Sequence, residues 1–218
     1  MSAKEIFDLM LVNTWETLYM TFGSTGAAYV LGLPLGIMLT VTEKDGIKPM
    51  QGLNSVLGSV INILRSVPFL ILMIAVVPIT RAIMGTSLGS PATIVPLTIA
   101  AFPFVARMVE SSIKEVDKGV VEAALSMGAG TFQIITKVLI PEAKTSLILG
   151  ATISTTTILG YSAMAGAIGG GGLGKVAINY GLYRFEPLLM WIAVIILVVL
   201  VQLGQFAGNT IARKTDKR

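Results

Sequence analysis

The sequence has no cysteine and no histidine among its 218 residues. The first absence excludes disulfides, thiol chemistry and Cys-ligated metals, and the second removes imidazole bases and His metal ligands. Charge is scarce as well. Only 13% of residues are charged and 54% are in the hydrophobic set, whereas a soluble domain carries roughly 25% charged residues. So few charges cannot cover a surface that faces water. With few acids at the boundaries of the apolar segments, no nucleophile–base pair and no metal cluster is visible, which argues against a membrane enzyme. The net charge of +4 does not point to nucleic acid, because the basic residues flank apolar segments and do not gather on one polar face.

The charges that exist are clumped. Uncharged windows run from Thr17 to Thr42 (26 residues), Ala82 to Ala106 (25), Thr145 to Gly174 (30) and Pro187 to Ala212 (26). A helix needs about 20 mostly apolar residues to cross a bilayer core, so each window suffices. A fifth segment, Pro49 to Thr80, is interrupted only by Arg65 and reads as one further span. These features predict an all-α integral membrane protein with five transmembrane helices in a single domain, residues 1–218. Residues 1–16 hold one base, Lys4, against three acids, Glu5, Asp8 and Glu16. A secretory n-region is positive, so the first hydrophobic segment is expected to be retained.

Five spans place the termini on opposite sides. With the N-terminus outside, 12 basic residues fall inside (Lys44, Lys48, Arg65, Arg107, Lys114, Lys118, Lys137, Lys144, Arg213, Lys214, Lys217 and Arg218). Four fall outside (Lys4, Arg81, Lys175 and Arg184). The positive-inside rule then predicts an outer N-terminus, a cytoplasmic tail and a cytoplasmic segment from Arg107 to Lys144.

The first span is read as Leu18 to Val41, with Gly32, Pro34 and Gly36 inside it and the polar turn Glu43-Lys44-Asp45-Gly46 after it. Prolines at this depth are tolerated when neighbours satisfy the freed carbonyls. Arg65 in the second span either snorkels at the cytoplasmic edge or makes a buried contact that locks helix packing. Pro78 to Pro91 is expected to be an outer loop. The third span, near Thr93 to Ala106, is expected to stop at the boundary residue Arg107. The fourth, about Ala143 to Ile168, is rich in Gly, Ala, Ser and Thr, which serve close helix packing or line a passage. Tyr161, Ser162 and Met164 near its outer end are candidate pathway or gate residues, with ordinary packing as the alternative. Gly169, Gly171 and Gly174 spell GxGxxG, but no strand precedes them, so a phosphate loop is rejected in favour of a flexible external loop. The last span, Leu188 to about Gly208, is strongly aliphatic and expected to face lipid.

The cytoplasmic segment carries the most specific signal. Val121, Ala124 and Leu125 fall at the spacing of one apolar helix face, giving a short helix over Val120–Met127 that Gly128 ends in a left-handed conformation. Thr131 is expected to cap a second helix, Phe132–Ile140, and Pro141 to open the fourth span. A two-turn helix is marginal in water, so its apolar face needs a partner.

Glu122-Ala123-Ala124, three residues, Gly128, nine residues, then Val138-Leu139-Ile140-Pro141 resembles the EAA loop of bacterial ATP-binding-cassette (ABC) importer permeases. Val138 and Ile140 depart conservatively from that pattern. Ile63-Leu64-Arg65-Ser66-Val67-Pro68-Phe69, Pro103–Glu110 and Tyr161-Ser162-Ala163-Met164 are similar to the methionine-importer permeases. The resemblance implies a type I ABC-importer permease fold in a bacterial plasma membrane. It also implies a homodimer and a coupling loop, about residues 113–141, docked on a cytoplasmic ABC ATPase dimer through Glu122, Ala123, Ala124, Leu125, Gly128 and Pro141. An extracytoplasmic methionine-binding protein would deliver the substrate. ATP and Mg would belong to the ATPase subunit, leaving this chain non-catalytic and without a cofactor or metal of its own. A permease for another amino acid or small osmolyte stays open, and so does an ion-coupled secondary transporter. The four uncharged windows contain no carboxylate for proton coupling, but sodium held by backbone carbonyls is not excluded.

Overall fold

The computed structural model describes residues 2–216. Lys217 and Arg218, counted above in the basic tail, lie outside the described residues. Among the described residues the chain is helical and contains no strand. Helix α1 spans Ala3–Thr42, α2 Gln51–Ser66, α3 Phe69–Ala75, α4 Val77–Met84 and α5 Ser90–Lys114. Then come α6 Lys118–Ser126, α7 Thr131–Ile134, α8 Ile140–Glu142, α9 Lys144–Ala165, α10 Gly172–Ile178 and α11 Pro187–Thr215. Two π-helical turns, Ile135–Leu139 and Asn179–Tyr183, and a 3-10 turn, Gly166–Ile168, join some of them. The residues form two compact units. The first holds the N-terminal segment to Ala27, Val67–Ala101 and Thr155–Gln205; the second holds Ala28–Ser66, Phe102–Ser154 and the segment from Phe206.

Helices α1, α5, α9 with its 3-10 extension, and α11 are each long and apolar enough to cross a bilayer, and α2 with α3 qualifies when taken as a pair. The expected unbroken second span is therefore corrected to a span broken at Val67-Pro68. Pro68 has φ −56° and ψ 134°, an extended conformation. Proline supplies no amide donor and disfavours the helical region for the residue before it, so the helix cannot pass through.

Three other boundaries move. Helix α1 begins 15 residues before the expected Leu18, because Asn13, Thr14 and Thr17 donate side-chain hydrogen bonds to carbonyls one turn back and sit in a helix without demanding water. Helix α5 does not stop at Arg107 but continues to Lys114, through Pro96 and Pro103. The expected loop from Pro78 to Pro91 shrinks to residues 85–89 between α4 and α5, with Gly85 at φ 73° and Gly89 at φ 89°.

Each unit has its own core. In the first, Met10, Leu173, Val176, Leu189 and Ala193 are buried together. In the second, Leu39, Ile61 and Ala106 form a cluster flanked by Leu35 and Leu57. Glycine sets how closely α1 meets α5 in the second unit. A Cβ at Gly36 would stand 2.5 Å from the Ala106 carbonyl oxygen and 2.7 Å from Val109 Cβ; one at Gly32 would stand 2.7 Å from Val105 Cγ1. This is the small-residue packing by which membrane helices approach. Helix α11 is buried over only 11% of its most apolar window and presents Trp191, Ile195, Val198 and Leu203 outward, as a lipid-facing helix should.

These contacts separate two substitutions of the same chemistry. Gly36→Ala gains helix propensity but forces backbone against backbone, at a net cost of about 1–3 kcal/mol. Gly26→Ala meets nothing within 4 Å and changes stability by less than about 1 kcal/mol, in the stabilising direction. Thermal unfolding of the purified protein in detergent should show a lower midpoint for the first variant only.

Candidate functional site

In the second unit, α6 is a nine-residue helix with no buried residue. Asp117 caps its start, its carboxylate accepting from the Gly119 amide at 2.7 Å. Its end is a Schellman motif: the Ala129 amide donates to the Ala124 carbonyl (3.1 Å) and the Gly128 amide to Leu125 (2.9 Å), with Gly128 at φ 77°. That conformation costs an L-residue roughly 1–2 kcal/mol, which is the physical reason for glycine at this point of the motif. The helix anticipated from periodicity therefore exists, shifted to Lys118–Ser126. Its exposed apolar groups are Val120 (43%), Leu125 (44%) and Met127 (88%), joined by Phe132 (76%) on α7, while Val121 and Ala124 are half-buried. Glu122 and Ala123 are exposed, and the Glu122 carboxylate has no partner among the described residues. Large apolar side chains on a solvated helix mark a surface built for contact.

After Gly128 the expected cap is corrected. Thr131 is the first residue of α7, Gly130 is the cap, and Gln133 Oε1 accepts from the Gly130 amide at 3.0 Å. The second helix then passes through the π turn Ile135–Leu139 into α8, where Pro141 occupies the first turn. Pro141 thus precedes the fourth span, which starts at Lys144, instead of opening it. Its missing amide falls where the hydrogen-bond pattern has already shifted from i→i+4 to i→i+5.

Of the two roles open to Arg65 in the sequence, its exposure fits the edge position, and the locking contact falls to Arg107. Arg65, in the last turn of α2, is exposed and makes no ion pair among the described residues. Arg107 does the locking. Its Nη2 donates to the Gly58 carbonyl (3.2 Å) and Asn62 Oδ1 (2.9 Å) on α2, and its Nη1 to Glu110 Oε2 (2.6 Å). Glu110 also binds Lys114 Nζ (3.0 Å), which pairs with Glu43 at 2.9 Å in the turn after α1. This network ties α1, α2 and α5 together and accounts for α5 running past Arg107.

The candidate gate residues lie in the first unit. The Tyr161 ring stacks on Phe69, centroids 4.4 Å apart and 4° from parallel. Met164, one turn on, is 49% exposed. Ser162 is buried and donates to the Leu159 carbonyl at 2.7 Å, so its hydroxyl is spent on its own helix.

The glycine segment after α9 is not the flexible loop expected. Gly170, Gly171, Gly172, Leu173 and Gly174 are buried. Glu16 Oε2 accepts from the Gly172 amide (2.7 Å), Thr17 Oγ1 from the Leu173 amide (2.9 Å), and the Gly169 carbonyl from the Gly89 amide (2.8 Å). A Cβ at Gly166 would strike the Lys175 amide nitrogen, and one at Gly174 the Ala163 carbonyl oxygen. The glycines are there for close backbone approach. Glu16 was legible in the sequence only as one acid of the N-terminal segment; the signal available was a carboxylate at the edge of an uncharged window.

An all-helical chain with four or five spans and an exposed, firmly capped helix between spans has the anatomy of a membrane permease subunit. The comparisons give the family. The model of the binding-protein-dependent transport system inner membrane components matches residues 32–217, and the chain belongs to that family. It is 51% identical over 211 residues to a probable D-methionine transport system permease protein, MetI, of Vibrio cholerae serotype O1, covering 97% of this chain and 94% of the relative. To the D-methionine transport system permease protein MetI of Escherichia coli (strain K12) it is 48% identical over 158 residues, 72% of this chain and 73% of the relative. Among solved structures, the MetNI methionine ABC transporter in an inward-facing conformation superposes with a TM-score of 0.97 at 45% identity, over 100% of both chains. An amino acid ABC transporter, at TM-score 0.78 and 22% identity over 96% of this chain and 95% of the other, shares the fold.

Loss of the Glu16 acceptor should be measurable locally. Glu16→Ala leaves the buried Gly172 amide unpaired, at about 1–3 kcal/mol, and should speed hydrogen exchange at Gly172; Glu16→Gln keeps an acceptor oxygen and should restore most of the protection.

Proposed function

We propose that this chain is the membrane-embedded permease subunit of an ATP-driven importer that takes methionine across a bacterial inner membrane. The observation that carries the reading is α6: a helix with both ends capped and no buried residue, whose exposed Val120, Leu125 and Met127 are of no use to an isolated chain and suit a groove on a second protein. The 51% identity to a probable D-methionine permease supports the substrate. The basic-residue asymmetry supports an orientation with the N-terminus outside and α6 in the cytoplasm. The reading includes a homodimer of this chain, a cytoplasmic ATPase dimer that holds ATP and Mg, and an extracytoplasmic methionine-binding protein.

Mechanically, closure of the ATPase dimer moves α6, and the capped junctions at Asp117 and Gly128 pass the motion on without fraying. Glu122, Ala123, Ala124, Leu125 and Gly128 form the contact, and Pro141 bounds the segment. Tyr161 and Met164 are proposed to border the substrate path, the ring held in place by Phe69. Ser162 contributes as a packing residue of the same helix.

The test is co-purification of the tagged chain with its ATPase from mild detergent. Glu122→Lys and Gly128→Asp should leave insertion intact while cutting ATPase recovery and substrate-stimulated hydrolysis by at least about tenfold, since a reversed charge or a strained helix end at a buried contact costs more than about 1.4 kcal/mol. Wild-type hydrolysis in both variants would sink the coupling role, and uptake in vesicles lacking any ATPase would replace the importer with a secondary transporter.

A further inference from the structure

The first unit contains a cavity of about 420 Å³ between α1 and the α10 region, lined among others by Asn13, Lys175, Asn179, Tyr180, Tyr183 and Arg184. Its volume is that of a small-molecule pocket, and no carboxylate lines it. Lys175 and Arg184 are both exposed, and neither forms an ion pair among the described residues. The Arg184 guanidinium lies 4.8 Å over the Tyr180 ring, a cation–π contact that fixes the group without neutralising it. The Asn13 amide is likewise oriented, donating to the Leu9 carbonyl at 2.8 Å.

The backbone has been bent to make this arrangement. Asn179–Tyr183 is a π turn, whose i→i+5 bonding sets Asn179 and Tyr180 above Tyr183 and Arg184. The Arg184 amide donates to the Asn179 carbonyl (3.1 Å) and the Glu186 amide to Tyr180 (2.8 Å). The next residue, Phe185, has φ 55° and is 83% exposed. A bulky residue in that region is an outlier that the surroundings must enforce.

The walls also set the depth. Asn13 stands just before the uncharged window that starts at Thr17, and Arg184 just before the one that starts at Pro187, so the cavity lies at the ends of two spans. On its rim Tyr183 is exposed, and Leu188 at the start of α11 is exposed as well, an aromatic and an aliphatic side chain of the kind that meets lipid at headgroup level.

We propose that this cavity binds the phosphate headgroup of an anionic phospholipid, with Lys175 and Arg184 on the phosphate oxygens, the tyrosine hydroxyls and carboxamides on the glycerol and ester oxygens, and the acyl chains leaving past Leu9 and Leu188. Two unpaired cations select a headgroup that brings no cation of its own, through the charge attraction between basic side chains and acidic lipids. The inference rests on the reading of α1 and α11 as spans, not on the transported substrate.

The complete transporter in mild detergent is titrated with dioleoyl phosphatidylglycerol, with phosphatidylcholine of the same chains, and with glycerol phosphate, and retained ligand is counted by native mass spectrometry. The wild type should hold one phosphatidylglycerol per chain about tenfold more firmly than phosphatidylcholine. Lys175→Gln with Arg184→Gln should erase that preference, and Arg213→Gln with Lys214→Gln should leave it. Should the double variant not assemble, Lys175→Gln alone should weaken the preference and Lys175→Arg keep it. Equal retention of the two lipids, an unchanged preference in the double variant, or displacement by glycerol phosphate at the lipid's own concentration would each overturn the proposal, the last in favour of a soluble anion. Loss of binding-protein capture with lipid retention unchanged would overturn it in favour of a protein-docking patch. ATPase co-purification, scored on the same samples, keeps failure of this site distinct from failure of the importer reading.

Discussion

An amide that leaves regular helix inside lipid must find its acceptor within the protein, because hydrocarbon offers none. Much of what is irregular in this chain answers to that constraint. At the glycine segment the acceptors come from α1, as Glu16 for Gly172 and Thr17 for Leu173. At the end of α1, Asn54 donates to the freed Leu39 carbonyl at 2.6 Å and to Thr42 at 3.0 Å. Along α1 itself, Thr17, Thr21 and Ser24 return their hydroxyls to carbonyls one turn back, so that a stripe of polar residues is buried with little penalty.

Glycine then decides how near the satisfied backbones come. In the second unit Gly32 and Gly36 let α1 lie on Val105, Ala106 and Val109 of α5. In the first, Gly166 and Gly174 bring the end of α9 against the start of α10 closely enough that a single Cβ would meet backbone. Packing of this kind does not depend on water for its driving force, which is why the residues at the contacts are small and the large apolar ones, Trp191, Ile195 and Leu203, stand outside.

Much of the spanning architecture could be read from charge alone, since α1, α5, α9 and α11 each overlap one uncharged window. The short helix ended by Gly128 was also legible, because an apolar face and a left-handed glycine are local signals. What escaped were features that depend on residues far apart. Nothing in Arg65 or Arg107 by itself says which one finds Asn62 and Gly58; that is set by the facing of α2 and α5. The glycine run reads as a flexible loop from composition, and only Glu16 and Thr17, some 156 positions away, turn it into buried structure. Proline was the least informative residue: Pro34, Pro96 and Pro103 stay inside helices while Pro68 stands at a break between two.

The coupling proposal requires that force applied to α6 be resisted somewhere. A helix with no buried side chain has no core of its own to resist it, so the load must leave through its ends. At the C-terminal end the Schellman bonds on Ala124 and Leu125 tie the helix to Gly128 and, through Gln133, to α7, whose Ile134 is fully buried. At the N-terminal end Asp117 follows α5, where Ser112 and Ile113 are buried and Glu110 joins Arg107 to Lys114 and Glu43. An exposed ion pair adds little to stability, yet a chain of them that includes a nearly buried Glu110 and two hydrogen bonds to α2 is directional. In the proposed coupling, it would make the last turns of α5 move with the end of α1 and with α2. On that proposal a displacement of α6 would reach three helices together, which is the mechanical property that distinguishes a coupling element from an exposed loop.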